Sequence, residues 1–175
     1  DKMKVIYTAI FGNYDDLKEP GIVSDGWKYI CYTDQPFTSS VWEVVHTPVP
    51  AGIDPQRYAR WFKIMHWIDW EYSMWVDAAF HINVDLNDWW ARTFELPFSC
   101  AKHPLRTCVY REIASCIANN RGMADELLRQ QEVYKKEGVP DHNDRIITSG
   151  VLMRKNTPTC IQLCEKWWNE VAAHS

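Results

Sequence analysis

Hydrophobic and polar positions alternate along this chain with two periods, and each change of period marks an element. "KVIYTAIF" (4–11) is rich in β-branched and aromatic residues and is broken by "GNYDD", which predicts a strand and then a loop. "WKYICYTD" (27–34) repeats that plan, and "WEVVHTPV" (42–49) predicts a third, shorter strand. "DPQRYARWFKIMHWI" (54–68) switches to helical spacing. Asp54 is placed to cap, Pro55 suits a first turn, and Tyr58, Trp61, Phe62 and Met65 make an apolar stripe. "YSMWVDA" (72–78) predicts the next strand. "NDWWARTFE" (87–95), "PLRTCVYREIASCIANN" (104–120) and "MADELLRQQEVYKKEG" (123–138) predict helices, the last ending at Gly138 with Lys135 and Lys136 in its final turn. "RIITSGVLMRK" (145–155) predicts a strand pair or a bent strand. "TPTCIQLCEKWWNEVAAH" (157–174) predicts a closing helix capped by Thr157 or Thr159.

Strands alternating with helices imply an α/β sandwich around a mostly parallel sheet. In such sheets ligands sit beyond the carboxyl ends of the strands. Those ends are polar here. The stretch from Thr8 to Asp15, the pair Thr33-Asp34, and Asp77 all stand at or just past predicted strand ends. In a parallel sheet they gather on one edge. The plainer alternative is that Asp15, Asp34 and Asp77 each cap a helix or hold a turn, and it is weaker for all three together than for any one.

Composition narrows the class. At 175 residues and 46% hydrophobic, the chain reads as one globular domain with a real core. A net charge of -4 argues against a nucleic-acid partner. No stretch approaches the roughly 20 apolar residues of a membrane helix, and no signal-peptide pattern stands at Asp1. None of the six cysteines forms a Cys-x-x-Cys pair, which disfavours a zinc knuckle. Cys160 and Cys164 share a helix face, and the cysteines read as reduced thiols packing as small apolar groups. That points to a reducing compartment, the cytoplasm, with a lumenal site expected instead if the chain is excised from a larger membrane-anchored protein.

The ordered set "IYTAIFGNYDDLKEP", "YICYTD", "RYARWFKI", "SMWVDAAF", "HPLRTCVYRE", "SGVLMRKN" and "WWNEVAAHS" resembles a glycosyltransferase-like family of plants, bacteria and some large algal viruses, long catalogued as a domain of unknown function. The resemblance spans nearly the whole chain. It implies a GT-A-like three-layer fold, residues 1–175 forming a single catalytic domain, and transfer of a sugar from a UDP-sugar donor to a glycan or glycoprotein acceptor. In that family "WWNEVAAHS" is usually followed by an Arg-Asp-Gln segment, so a trimmed domain is expected, with His174 as the one late imidazole. GT-A enzymes usually hold a divalent metal, Mn²⁺ or Mg²⁺, on an Asp-x-Asp motif. Asp77 resembles the surviving carboxylate of that motif, with Ala79 in the second position and Asp85 a remote helper that reads better as a cap. The shell of such an ion would be completed by diphosphate oxygens and water.

The same resemblance implies further roles. The "TAIFGNYD" run, with Thr8, Ala9, Phe11, Asn13, Tyr14 and Asp15, would pass under base and ribose, and Asp34 would accept from a uracil N3–H. Arg57, Arg60 and Lys63, spaced by three, are expected to share a face toward the diphosphate, unless they form a solvated basic face. Ser149 and Gly150 would let the backbone approach the donor sugar, and Asp144 would contact its hydroxyls. Glu112 is a second acidic candidate, with a structural ion pair to Arg106 or Arg111 as the plainer alternative. The resemblance leans toward retention at the anomeric carbon. Two other classes compete. A non-catalytic nucleotide-sugar or carbohydrate-binding module is favoured by Ala79 and by ten tryptophans, although those in predicted helices read better as core. A glycosidase would need two carboxylates facing the sugar, such as Glu112 with Asp144.

Overall fold

The computed structural model describes residues 3–141 and 146–174. Six strands and five helices follow one another as β1 (Lys4–Ile10), β2 (Trp27–Thr33), β3 (Glu43–His46), α1 (Pro55–Met65), β4 (Tyr72–Val76), α2 (Leu86–Thr93), β5 (Phe98–Lys102), α3 (Val109–Ala118), α4 (Ala124–Lys136), β6 (Ile147–Lys155) and α5 (Pro158–Ala173). They form one mixed sheet of order β3-β2-β1-β4-β6-β5. β1 pairs in parallel with β2 and with β4, β2 pairs in parallel with β3, and β6 runs antiparallel to β4. The expected α/β class with a mostly parallel sheet is what the chain adopts. Because β2, β1 and β4 are parallel neighbours, their carboxyl ends lie on one edge, which brings Asp34, the 11–15 loop and Asp77 to the same rim.

The chain divides into two compact units. One comprises residues 1–99 and 150–168, the other residues 100–149 and 169–175. The first has three layers. Along β1 and β4 the side chains alternate between faces. Ile6, Ile10, Met74 and Val76 join a buried cluster with Trp27, Tyr29, Trp42 and Leu86, so α2 covers that face. Tyr7, Phe11 and Trp75 point the other way, toward α1, where Phe11 stacks on Tyr58 and Phe62. Helix α1 starts as the sequence predicts: the Asp54 carboxylate accepts the Arg57 N–H at 2.9 Å and Pro55 follows it. Its buried side chains are Phe62 and Ile64, while Trp61 is left 36% exposed, so the stripe is rotated from the expected one. Thr157, not Thr159, caps α5 through the Cys160 N–H. Cys160 and Cys164 are both buried on its inner face.

The fold departs from the sequence pattern in two places. β5 was not expected, because "FSCAK" is short and mostly half-exposed, the signature of an edge strand. The helix expected from Pro104 begins only at Val109. The His103 ring Nδ1 accepts the Leu105 and Arg106 N–H groups and holds that stretch as a turn. In the second unit α3 packs on α4, and the Tyr110 hydroxyl donates to the Val139 carbonyl. Among the described residues no helix is long and apolar enough to cross a membrane.

The α1 face is pinned by a fully buried arginine. Arg154 Nη1 donates to the Lys63 carbonyl at 2.6 Å and to that of Ile64 at 3.4 Å, and Nη2 donates to the Tyr7 hydroxyl at 2.8 Å. Tyr7 in turn donates to the Phe62 carbonyl at 2.7 Å. The Lys63 and Ile64 carbonyls belong to the last turn of α1, where positive charge is favoured. Replacing Arg154 with Met should cost at least about 3 kcal/mol in denaturant unfolding, because two carbonyls and a hydroxyl lose a charged partner. Tyr7→Phe should cost less, about 1.5–3 kcal/mol, because it removes one charge-assisted bond from Arg154 and the hydroxyl's own bonds to the Phe62 and Lys63 carbonyls but leaves the guanidinium on the helix. Equal losses for both variants would show that Arg154 is not the anchor.

Candidate functional site

At the carboxyl edge of β1 and β4 the first unit holds a cavity of about 300 Å³. Its floor is Ala9, Ile10 and Phe11. One wall is the α1 flank with Gln56, Ala59, Arg60 and Lys63, another the strand end with Trp75, Asp77, Ala78 and Ala79, and Tyr14 and Asp15 close the loop side. Seven of the expected binding residues therefore meet here: Ala9, Phe11, Tyr14, Asp15, Arg60, Lys63 and Asp77.

Strand parity puts Asp77 in this place. Ser73, Trp75 and Asp77 share the α1 face of β4, so the carboxylate leaves the sheet toward Lys63. Lys63 Nζ lies 3.2 Å from Asp77 Oδ1, and Trp75 Nε1 donates to the same oxygen at 2.7 Å. The Lys63 side chain is only 12% exposed, against 40% for Asp77. Burial pushes the Lys63 ammonium below the ordinary lysine range, and Asp77 pulls it only part of the way back. Behind Asp77, its own N–H donates to the Gly150 carbonyl at 2.8 Å. A Cβ at Gly150 would stand 2.5 Å from the Phe80 ring and 3.4 Å from Asp77 Oδ2. Gly150 thus serves close approach, to a ring and a carboxylate of the chain itself.

The loop after β1 is shaped by Gly12 and Asn13, both at positive φ. Gly12 also presses on Pro55, where a Cβ would come within 2.8 Å. Asp34 does not line the cavity. Both its oxygens accept the Gly12 N–H, at 3.1 and 3.3 Å, so the carboxylate holds the loop in place. Asp15 pairs with Lys18 at 3.0 Å, and Lys18 also donates to the Ala78 carbonyl, tying the loop to the end of β4. Thr8 faces the other side of the sheet and is buried, its Oγ1 without a hydrogen-bond partner among the described residues. Asn13 is exposed and does not line the cavity.

Arg57 departs from its expected face. Three residues of α-helix turn through about 300°, so each step of three drifts by about 60°. Lys63 and Arg60 stay on the cavity, while Arg57 lines a separate hollow with Tyr58, Trp61 and Trp168. Glu112 belongs to the second unit, where it forms an ion pair with Arg106 and lies 3.7 Å from His103. Burial raises its pKa, but the Arg106 hydrogen bond and charge outweigh this and hold the carboxyl below the usual range. That is the structural pairing the sequence left open. Ser149 is in the second unit and does not line the cavity. Asp144 lies outside the described residues. His174 pairs with Glu170 at 3.1 Å, and Asp85 caps α2 through the Asn87 N–H. Trp75, Gln56 and Lys18 were not among the expected residues. Trp75 was legible from its i, i+2 relation to Asp77, and Lys18 from its i, i+3 relation to Asp15; nothing in the sequence singles out Gln56.

Asp77 is the one expected metal ligand, and the described side chains around it do not fit a divalent ion. Among the described residues no three His, Cys, Asp or Glu side chains gather to hold one. Asp77 Oδ1 already accepts from an ammonium and an indole. At an effective dielectric of about 20, unit charges about 4 Å apart interact by about 4 kcal/mol. Repulsion between a dication and the neighbouring Lys63 ammonium would thus offset much of the attraction that the single Asp77 carboxylate offers.

With the site in view, the comparisons define the class: a glycosyltransferase-like protein. The chain belongs to the TOD1/MUCI70 glycosyltransferase-like domain family, which it matches over residues 40–175. The matched stretch includes α1 with Arg60 and Lys63, the Asp77 strand end, and β6. A search of curated proteins finds no match. The family implies sugar transfer from a donor to an acceptor as the general activity of the chain.

The lowered Lys63 pKa has a sign that stability can read. The folded protein releases this proton before the unfolded chain does, so between the lowered folded value and the ordinary 10.5 the unfolded state binds more protons. Lys63 therefore contributes more favourably as pH rises through that window. The stability gap between wild type and Lys63→Met, from urea melts at several alkaline pH values, should shift toward wild type as pH approaches 10.5. A gap that moves the other way would mean that the Asp77 charge outweighs burial.

Proposed function

We propose that the chain transfers a sugar from a UDP-sugar to a hydroxyl of a glycan or glycoprotein, with retention at the anomeric carbon. The observation that carries this reading is the juxtaposition, at the carboxyl edge of the sheet, of two cationic side chains on α1 with the loop after β1. Arg60 and Lys63 supply the positive charge that a diphosphate requires, and Tyr14, 74% exposed at the other side of the cavity, offers a face for the base. Asp34 acts in this reading by holding the loop that meets the base.

Transfer breaks the bond from the anomeric carbon to the diphosphate oxygen and forms one to the acceptor oxygen. Charge grows on the leaving diphosphate, and fixed cations placed beforehand stabilise it without reorganisation. The two carboxylates lining the cavity, Asp15 and Asp77, are each paired with a lysine. This suits a reaction in which the departing phosphate takes the acceptor's proton, the arrangement compatible with retention. A glycosidase needs one protonated carboxyl as general acid. Glu112, held ionised by Arg106, is unsuited to that task.

Calorimetry with UDP and with uridine tests the reading. UDP should bind more tightly than uridine, and Arg60→Ala should weaken UDP by about 1.5–3 kcal/mol while leaving uridine nearly unchanged. Equal weakening of both ligands would assign Arg60 to folding. UDP binding with no transfer or hydrolysis of any UDP-sugar would favour the binding-module alternative.

A further inference from the structure

We propose that the Lys63 ammonium, seated against Asp77, is the resident cation of this site, and that with Arg60 it receives the donor diphosphate in place of a divalent metal. This inference rests on reading the cavity as a nucleotide-diphosphate site, and it concerns how that site is charged.

Three observations converge. First, the strand end carries one carboxylate, since the sequence runs Asp77, Ala78, Ala79. Second, that carboxylate is engaged: Oδ1 accepts from Lys63 at 3.2 Å and from Trp75 at 2.7 Å. It orients a lysine as a metal ligand would orient a metal. Third, Lys63 and Arg60 line the same cavity, and together their two positive charges equal that of a divalent ion.

The pairing is also incomplete in a way that invites a second anion. Lys63 has one carboxylate beside it, Asp77 at 3.2 Å, and Arg60 lines the same cavity, whose other carboxylate, Asp15, is paired with Lys18, so the α1 wall carries more positive charge than Asp77 alone balances. A diphosphate would supply the missing negative charge. The Arg154 bond to the Lys63 carbonyl fixes the backbone beneath the ammonium, so the cation is presented without searching rotations of the helix. Stabilisation of this kind depends on charges already in place, whether they sit on a side chain or on an ion.

Binding of UDP to the full chain, measured by calorimetry in EDTA and again in Mn²⁺, tests the proposal. UDP should bind in EDTA with an affinity that Mn²⁺ does not raise. Lys63→Gln should lose about tenfold or more, the loss of one charge-assisted contact, and Mn²⁺ should not restore it. A second variant guards against lost folding: Lys63→Arg, which keeps the charge, should retain most of the metal-free UDP affinity. Binding that appears only with Mn²⁺ would overturn the proposal and leave the nucleotide-sugar reading standing. Binding in neither condition would overturn both. Metal-free binding that is unchanged in Lys63→Gln would overturn the role of Lys63.

Discussion

The buried guanidinium of Arg154 is the contact on which the geometry of the site depends. It stands on β6, opposite Ser73 of β4, and reaches under the carboxyl end of α1. In one place it joins the sheet through Tyr7, the helix through the carbonyls of Lys63 and Ile64, and α5 through the neighbouring Cys164. It also lies over the Trp67 ring, at 4.9 Å. Without it α1 would keep its hydrophobic contacts but lose its axial register. A shift of one residue along that helix would carry Lys63 away from Asp77.

From that anchor the site follows by parity. β1 and β4 are parallel, with Tyr7 beside Trp75 in register. The same-face positions one step further along are Ala9 and Asp77. Ala9 is small, and this leaves room for a cavity over the strand ends. Asp77 faces α1 because Trp75 does, and Lys63 faces Asp77 because its backbone carbonyl is held by Arg154. The loop completes the enclosure through two further pairings, Asp34 with the Gly12 N–H and Lys18 with Asp15 and the Ala78 carbonyl. Polar groups that read in sequence as ligand contacts thus divide into two kinds. Some line the cavity, and some hold in place the segments that line it.

This division explains what the sequence disclosed. Element types were legible wherever periodicity was strong: β1, β2, β4, α1 and α5 stand where their patterns place them, and the polar strand ends do share one edge. Edge strand β5 was not, because half-exposed "FSCAK" lacks the alternation of a covered strand. Within the site, Asp77 was readable as a carboxylate at a strand end, and Arg60 and Lys63 as cations spaced by three along a helix. Asp34 was readable as special, but its role was not, since a carboxylate that accepts a backbone N–H looks the same in sequence as one that accepts a ligand. The face of Arg57 was misread because spacing by three accumulates angular drift, which two intervals make decisive. The Lys63–Asp77 pairing joins residues 14 apart across a helix and a strand, and only the fold brings them together.

The claim that an ammonium stands where a metal would otherwise be needed is most directly examined by a crystal structure of the chain with UDP, grown once with EDTA and once with Mn²⁺. The expected result is a diphosphate in the same pose in both, its oxygens within hydrogen-bonding distance of Lys63 Nζ and Arg60, with Asp77 still paired to Lys63. A metal ion bridging Asp77 and the diphosphate in the Mn²⁺ crystals, with Lys63 displaced and the EDTA crystals empty, would contradict it.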